Sequence, residues 1–218
     1  MASRIIADLL ATLKSSFRIN KGTIDAGGLT AARIFTLSDV TSTISAVLNR
    51  STSTTTIVND SAEQTLYSQS IAANLLSTNR MLRLTIFGSY LNNSGSNKTA
   101  QLKVKFGSTT LFDDVTAGLI TGATDRPFFL QCWLANKGAT NSQLLVGNFW
   151  MGRPAPPTSG IGDLGAQMST DNQSVVAPLG GTATEDTTAA KTLSVTVQHS
   201  AAASTVSVSL LSAFLELI

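Results

Sequence analysis

The feature that most constrains the fold is a run of alternating apolar and polar residues between Arg80 and Phe106. Leu82, Leu84 and Ile86 fall at every second position, which places them on one face of an extended chain. The alternation resumes after residues 92–97, a stretch of Asn, Ser and Gly that favours a turn. The pattern predicts two antiparallel strands joined in a hairpin with a mobile tip, and therefore an all-β chain.

Composition limits the function classes that this chain can serve. Of its 218 residues, 43% are hydrophobic and 13% are charged, which suits one large β-domain with a proper core. The 15 basic and 13 acidic residues nearly balance, which argues against nucleic-acid binding. No apolar run is long enough to span a bilayer, and Arg4 and Asp8 carry charge where a signal peptide would be apolar. We expect neither membrane insertion nor export.

The beginning of the chain departs from the β pattern. Ile5, Leu9, Leu13 and Phe17 recur at four-residue spacing, which predicts an amphipathic helix. Such a helix packs either on its own domain or on a partner, and the sequence leaves both readings open. Glycine-punctuated pieces follow up to residue 51 and are typical of an extended arm.

The Ser/Thr-rich stretch at residues 51–56 has the composition of a linker. We place the domain boundary there: residues 1–51 form the helix and arm, for docking or exchange between trimer subunits, and residues 52–218 form the β-domain. Seven to nine strands are predicted, at about 55–58, 63–70, 80–91, 100–106, 109–112, 127–135, 143–151, 191–199 and 204–217. This spacing, without intervening helices, favours a β-sandwich or jelly roll.

Two irregularities stand out in the β-domain. Residues 152–190 form a long loop with little periodicity, and such loops are usually functional or interfacial. We therefore expect it to contact a partner. In the last strand the apolar positions change parity after Leu210, which predicts a β-bulge near that residue.

Residues suited to catalysis are few. His199 is the only histidine, and we expect a structural or half-exposed position at a strand end. Cys132 shares the parity of apolar neighbours and is expected to be a small buried hydrophobe. Asp113, Asp114 and Asp125 could supply oxygens to Ca²⁺, but solvated carboxylates at a turn are the favoured reading. The sequence predicts no enzyme activity, no cofactor and no metal.

Aromatic side chains are the remaining candidates for a binding face. Trp133, Trp150 and Tyr90, with Tyr67, could stack on a sugar or on a protein partner. Trp133 has the parity opposite to Cys132, which places it on the outer face of its sheet. Trp133, Trp150 and Tyr90 form the predicted receptor or partner face.

The arm contains a motif that is similar to a segment of a known class of proteins. Leu29-Thr-Ala-Ala-Arg-Ile-Phe-Thr-Leu-Ser-Asp39 resembles the recurrent T-A-R-x-F-T-L-P-D segment of bacteriophage fibre and head-decoration proteins, with serine in place of the usual proline. In such proteins the segment forms a short strand and turn that intertwines with neighbouring subunits. The resemblance implies docking roles for Arg33, Ile34, Phe35 and Leu37, beside the apolar stripe of the predicted helix.

The β-domain resembles the small jelly-roll modules of tailed-phage virion proteins at Asn59–Leu66, at Asn92–Gly95 and at Leu193–His199. The resemblance implies a homotrimeric virion structural protein, made in the bacterial cytoplasm. The first hypothesis is a capsid decoration, or cement, protein that binds the major capsid protein or other virion proteins and stabilises the head shell. The alternative is a receptor-binding module of a fibre or tail tip that contacts a host glycan or protein.

Overall fold

The structure of the protein is a computed structural model, and it describes residues 46–116, 119, 121–152 and 175–218. The predicted N-terminal helix and the docking residues of the arm lie outside these residues. Within them the chain forms eleven strands and no helix, so the all-β prediction is confirmed. The described part likewise contains no helix able to span a membrane.

The strands are numbered in the order in which they follow one another along the chain. They are β1 (Ala46–Ser51), β2 (Thr55–Val58), β3 (Gln64–Ile71), β4 (Met81–Asn92), β5 (Ala100–Phe106), β6 (Thr109–Val115), β7 (Gly122–Asn136), β8 (Gln143–Met151), β9 (Val175–Ala183), β10 (Lys191–His199) and β11 (Val206–Leu217). All nine predicted strands are present. The sequence did not predict β1 and β9.

The strands form two antiparallel sheets. The large sheet has the order β1-β11-β4-β7-β8-β9, and β2 also pairs with β11. The small sheet has the order β3-β10-β5-β6. Four pairings are nested in the sequence: β2 pairs with β11, β3 with β10, β4 with β7, and β5 with β6.

One core lies between the two sheets. Leu82, Leu84 and Ile86 on β4 are at most 1% exposed, and on the small sheet Val104 and Phe106 are fully buried. Their period of two is the one that the sequence shows, because successive side chains of a strand point to opposite faces. The buried side chains of both sheets belong to a single cluster. Burial of this core is the main stabilising contribution to the fold.

The predicted bulge in the last strand is confirmed. The pairing of β11 with β4 shifts register between Leu210 and Ser212, and the extra residue, Leu211, is 46% exposed. The bulge restores the inward direction for Ala213, which is buried. It also divides β11 between two neighbours, because β2 pairs with residues 207–210 and β1 pairs with residues 213–217.

Two local expectations were wrong. β4 and β5 do not form a hairpin, because β4 belongs to the large sheet and β5 to the small one. The connection is anchored by Asn92, whose buried side-chain amide donates to the carbonyls of Ser96 (2.9 Å) and Leu119 (2.8 Å). Residues 152–190 are not one long loop either, since they contain β9; residues 153–174 lie outside the described part. Strand β1 lies on the arm side of the boundary expected at residue 52.

Candidate interaction surface

An apolar row crosses the outer face of the large sheet. The pairing registers place Val176, Trp150, Phe129 and Phe87 opposite one another on β9, β8, β7 and β4. Val176 is 58% exposed, Trp150 40% and Phe87 43%. Leu211, the exposed residue of the bulge, precedes the next position of the row on β11. We call these five residues the apolar row.

The aromatic side chains of the row support one another. The rings of Phe87 and Phe129 lie 5.2 Å apart at 51°, a tilted arrangement that is favourable for aromatic pairs. Trp150 lies over Gly152, where an added Cβ atom would approach the indole to 2.8 Å. Because the backbone of these paired strands is already ordered, a partner would remove little further backbone freedom on binding.

The rest of the outer face is neutral. Gln131 donates to the Thr85 hydroxyl at 3.2 Å in the next row along the strands. One row further, Arg83 forms a 2.8 Å ion pair with Glu216 beside the half-buried Trp133. The charges of Arg83 and Glu216 are thus paired within the chain.

The small sheet has the opposite character. Its outer face carries Lys103, Lys105 and Asp113, and the carboxylate of Glu63 bonds both lysines. Hydrogen bonds from Lys103, foremost, and from Lys105 lower the pKa of Glu63 to about 2. Charged faces of this kind remain hydrated, whereas the aromatic face of the large sheet resembles the centre of a protein interface.

The predicted binding aromatics separate into two groups. Trp133 and Trp150 lie on the outer face of the large sheet, which is the face that parity indicated for Trp133. Tyr90 does not: it is fully buried, because its position on β4 points into the core. Tyr67 is also a core residue, at 5% exposure. Tyr90 is therefore removed from the predicted face.

The groups considered for catalysis are part of the core. Cys132 is buried as expected, and burial raises the pKa of its thiol to about 12, so the thiol stays protonated. His199 ends β10 at 2% exposure, which confirms a structural position and corrects the half-exposed alternative. Its ring packs edge-on to Tyr90 at 6.2 Å, and neither ring nitrogen has a well-aligned hydrogen-bond partner. Burial lowers the pKa of His199, outweighing the opposite effect of the nearby Asp60 backbone.

A buried carboxylate that the sequence reading missed ties the ends of several strands together. Oε1 of Glu185 accepts hydrogen bonds from the Ser108 backbone N–H (2.8 Å), the Ser108 hydroxyl (2.7 Å) and the Thr109 hydroxyl (2.9 Å). Oε2 pairs with Lys191 Nζ at 2.8 Å. The Lys191 contact, first, and the serine contacts lower the pKa of Glu185 to about 2. Gly107, at φ 59°, leaves the space that the carboxylate occupies.

This carboxylate belongs to a larger polar network. The Glu185 backbone N–H donates to Gln143 Oε1, and Gln143 Nε2 donates to Asn136 Oδ1, both at 2.8 Å. Asn136 in turn donates to the hydroxyl of Thr187 at 2.9 Å. The network is internally satisfied, so its role is to hold loops at one end of the sheets rather than to bind a ligand.

The aspartates considered for Ca²⁺ are not brought together. Asp113 and Asp114 lie on β6 of the small sheet, and Asp125 lies on β7 of the large one. Asp113 accepts from Gln101 at 2.6 Å, and Asp125 accepts from Ser89 at 2.9 Å. Among the described residues no group of three potential metal ligands is found.

The apolar row was missed as a unit by sequence reasoning. Parity identified the outward position of Phe129, but no pattern in the sequence shows which strands are neighbours. Phe87 was hidden inside the alternation of β4, where it occupies a polar position. Outward aromatic residues on several strands are the signal that could have indicated the row.

Comparison with known proteins adds little. No family model matches the sequence, and no curated protein matches it. A crystal structure of the alginate lyase from Klebsiella pneumoniae is similar at 9% identity and a TM-score of 0.24, covering 63% of this chain and 59% of the lyase chain. This chain thus spans less than two thirds of that lyase, and the similarity carries no argument about fold or activity.

Proposed function

We propose that this chain is a structural protein of a bacteriophage virion, a homotrimeric decoration protein that binds the head shell and stabilises it. The observation that carries the proposal is the apolar row: five neighbouring apolar side chains on a charge-poor sheet face are typical of a surface that contacts another protein chain, as assembly into a homotrimer requires. The phage-like motif around Arg33 and Phe35 supports the choice of partner.

The strand order supports a jelly-roll connectivity, which we include in the proposal. The nested pairs β2–β11, β3–β10, β4–β7 and β5–β6 are those of a long hairpin rolled into two sheets. On this view β8 and β9 extend the large sheet beyond the eight strands of the roll, and β1 adds a short edge strand.

The placement of reactive groups supports binding rather than catalysis. Cys132 and His199 lie in the core, and the carboxylates of Glu63 and Glu185 are held by lysines and hydroxyls. A nucleophile or general base must reach a substrate, and these groups are committed to packing and to structural hydrogen bonds.

Shell binding is tested by sedimenting the purified protein with undecorated phage heads and, separately, with susceptible host cells. We expect saturable binding to heads and an increased resistance of the heads to heat, because a ligand of the assembled shell favours assembly. Leu9→Asp, in the predicted arm, should abolish head binding while the β-domain stays folded. Binding to cells but not to heads would replace this proposal with a receptor-binding function.

A further inference from the structure

The positive and negative charges on the outer face of the large sheet are equal in number. Its strands carry two outward cations, Arg50 and Arg83, and two outward anions, Asp125 and Glu216. Arg83 pairs with Glu216, Asp125 accepts from Ser89, and the Arg50 guanidinium lies 5.6 Å from the ring centre of Phe214. A charged partner would therefore gain nothing on this face, whereas a second neutral apolar surface would match it.

The size of the face suits association between copies. Six strands about 4.8 Å apart give a width of about 24 Å, and strands of about nine residues give a length of about 30 Å. The resulting area of about 700 Å² is close to the roughly 800 Å² that each partner contributes to a standard interface. The face is thus large enough to hold an assembly together without other contacts.

The width also fits a threefold arrangement. If three sheets about 24 Å wide form the sides of a triangular prism, the middle of each sheet lies about 7 Å from the common axis. In two sheets packed face to face, each sheet lies only about 5 Å from the midplane, which is half their spacing. Large side chains are needed to fill the additional space. The row supplies them in Trp150, Phe129 and Phe87, which lie near the middle of the sheet.

We infer that this face is the contact between copies of the chain, with the apolar rows of three subunits packed around the threefold axis of the assembly. The inference rests on the proposed homotrimer and assigns its interface. The charged outer faces of the small sheets then point away from the axis. Head binding is left to surfaces other than the apolar row.

The test measures molar mass by light scattering for the full chain at micromolar concentration. The wild type should have three times the mass of the 22.7 kDa chain. Phe87→Lys and Val176→Lys each place a charge in the row and should reduce the mass threefold. Val176 is the most exposed of these side chains, so that variant keeps the test decisive if Phe87→Lys does not fold.

The matched control is Thr192→Lys, which places the same charge at an exposed position on β10 of the small sheet. It should remain trimeric, and circular dichroism should show the same β-structure for all variants. A monomeric or dimeric wild type, trimeric row variants, or dissociation of the control as well would each overturn the inference. A monomer that binds heads refutes the trimer and this interface but leaves the head-binding function standing, and a trimer that binds no heads refutes the head-binding function alone.

Discussion

The carboxylate of Glu185 offers a sharp test of how the loops are held. All three Ser/Thr donors form hydrogen bonds with Oε1, whereas Lys191 forms an ion pair with Oε2. The two oxygens therefore make different contacts. Glu185→Gln keeps an acceptor for the three donors and loses the ion pair. Glu185→Ala removes both sets of contacts, and the three part-buried donors lose this acceptor.

The expected magnitudes follow from burial. The Glu185 side chain is 8% exposed, and that of Lys191 is 21% exposed, so water partly compensates the lysine after the change. We expect Glu185→Gln to lower the free energy of unfolding by about 1–2 kcal/mol, as for a hydrogen bond to a charged group. We expect Glu185→Ala to lower it by about 3–5 kcal/mol, because three hydrogen bonds are lost in addition to the ion pair.

The pH dependence gives an independent check. The pKa of Glu185 is lowered from 4.5 to about 2 in the folded state, so its contribution is complete above pH 4.5 and is lost as the pH falls towards 2. Glu63 titrates in the same range, but it is present in both proteins and cancels in their difference.

The assay is urea unfolding of the wild type and both variants at one protein concentration, from pH 7 to pH 2. The stability difference between the wild type and Glu185→Gln should shrink as the pH falls from 4.5 to 2. The argument that Oε1 binds the Ser/Thr donors and Oε2 binds Lys191 would be refuted by either of two results. One is an equal loss of unfolding free energy in Glu185→Gln and Glu185→Ala, and the other is a stability difference between the wild type and Glu185→Gln that does not change with pH.

Further predictions concern the core and the contact between the sheets. An added Cβ atom at Gly181 would lie 1.8 Å from the Leu111 carbonyl oxygen, so Gly181→Ala should destabilise the domain by at least about 1–3 kcal/mol, measured by urea unfolding. The neighbouring Gly180→Ala is the control, with its nearest atom at 3.9 Å, and should change stability by less than about 0.5 kcal/mol. Burial lowers the pKa of His199, so the wild type should lose stability as the pH falls below 6.5, while His199→Leu should lack this component in thermal scans. An unchanged acid profile in that variant would contradict a buried, neutral imidazole.

The sequence alone predicted where the strands lie along the chain better than it predicted which strands pair with one another. Alternation located β4, β5 and the bulge near Leu210, because burial of one face leaves a period of two in the residues themselves. It failed for β9, where Pro178, Gly180 and Gly181 interrupt the apolar pattern of an edge strand. It also misassigned the β4–β5 connection, since turn residues look alike whether the chain stays in one sheet or crosses to the other.

The candidate surface was only partly predictable for the same reason. Parity placed Trp133 outside and Cys132 inside correctly, but Tyr90 was included in the predicted face as an aromatic residue, against its parity. Tyr90 shares its parity with the buried Ile86, so the period alone indicates a core position. The row itself depends on register between strands distant in sequence, which a single sequence does not encode locally.

The nested strand pairing also has a consequence for how quickly the domain can form. β5 and β6 are joined by a tight turn at Gly107 and can pair as soon as both exist, but Val58 must find Ser207 across most of the domain. Rates fall as such distant pairings dominate, and until β11 arrives, one edge of β4 is unpaired. Intermediates with that open edge can pair with each other, so refolding yield should fall steeply as protein concentration rises, even though the finished domain is stable.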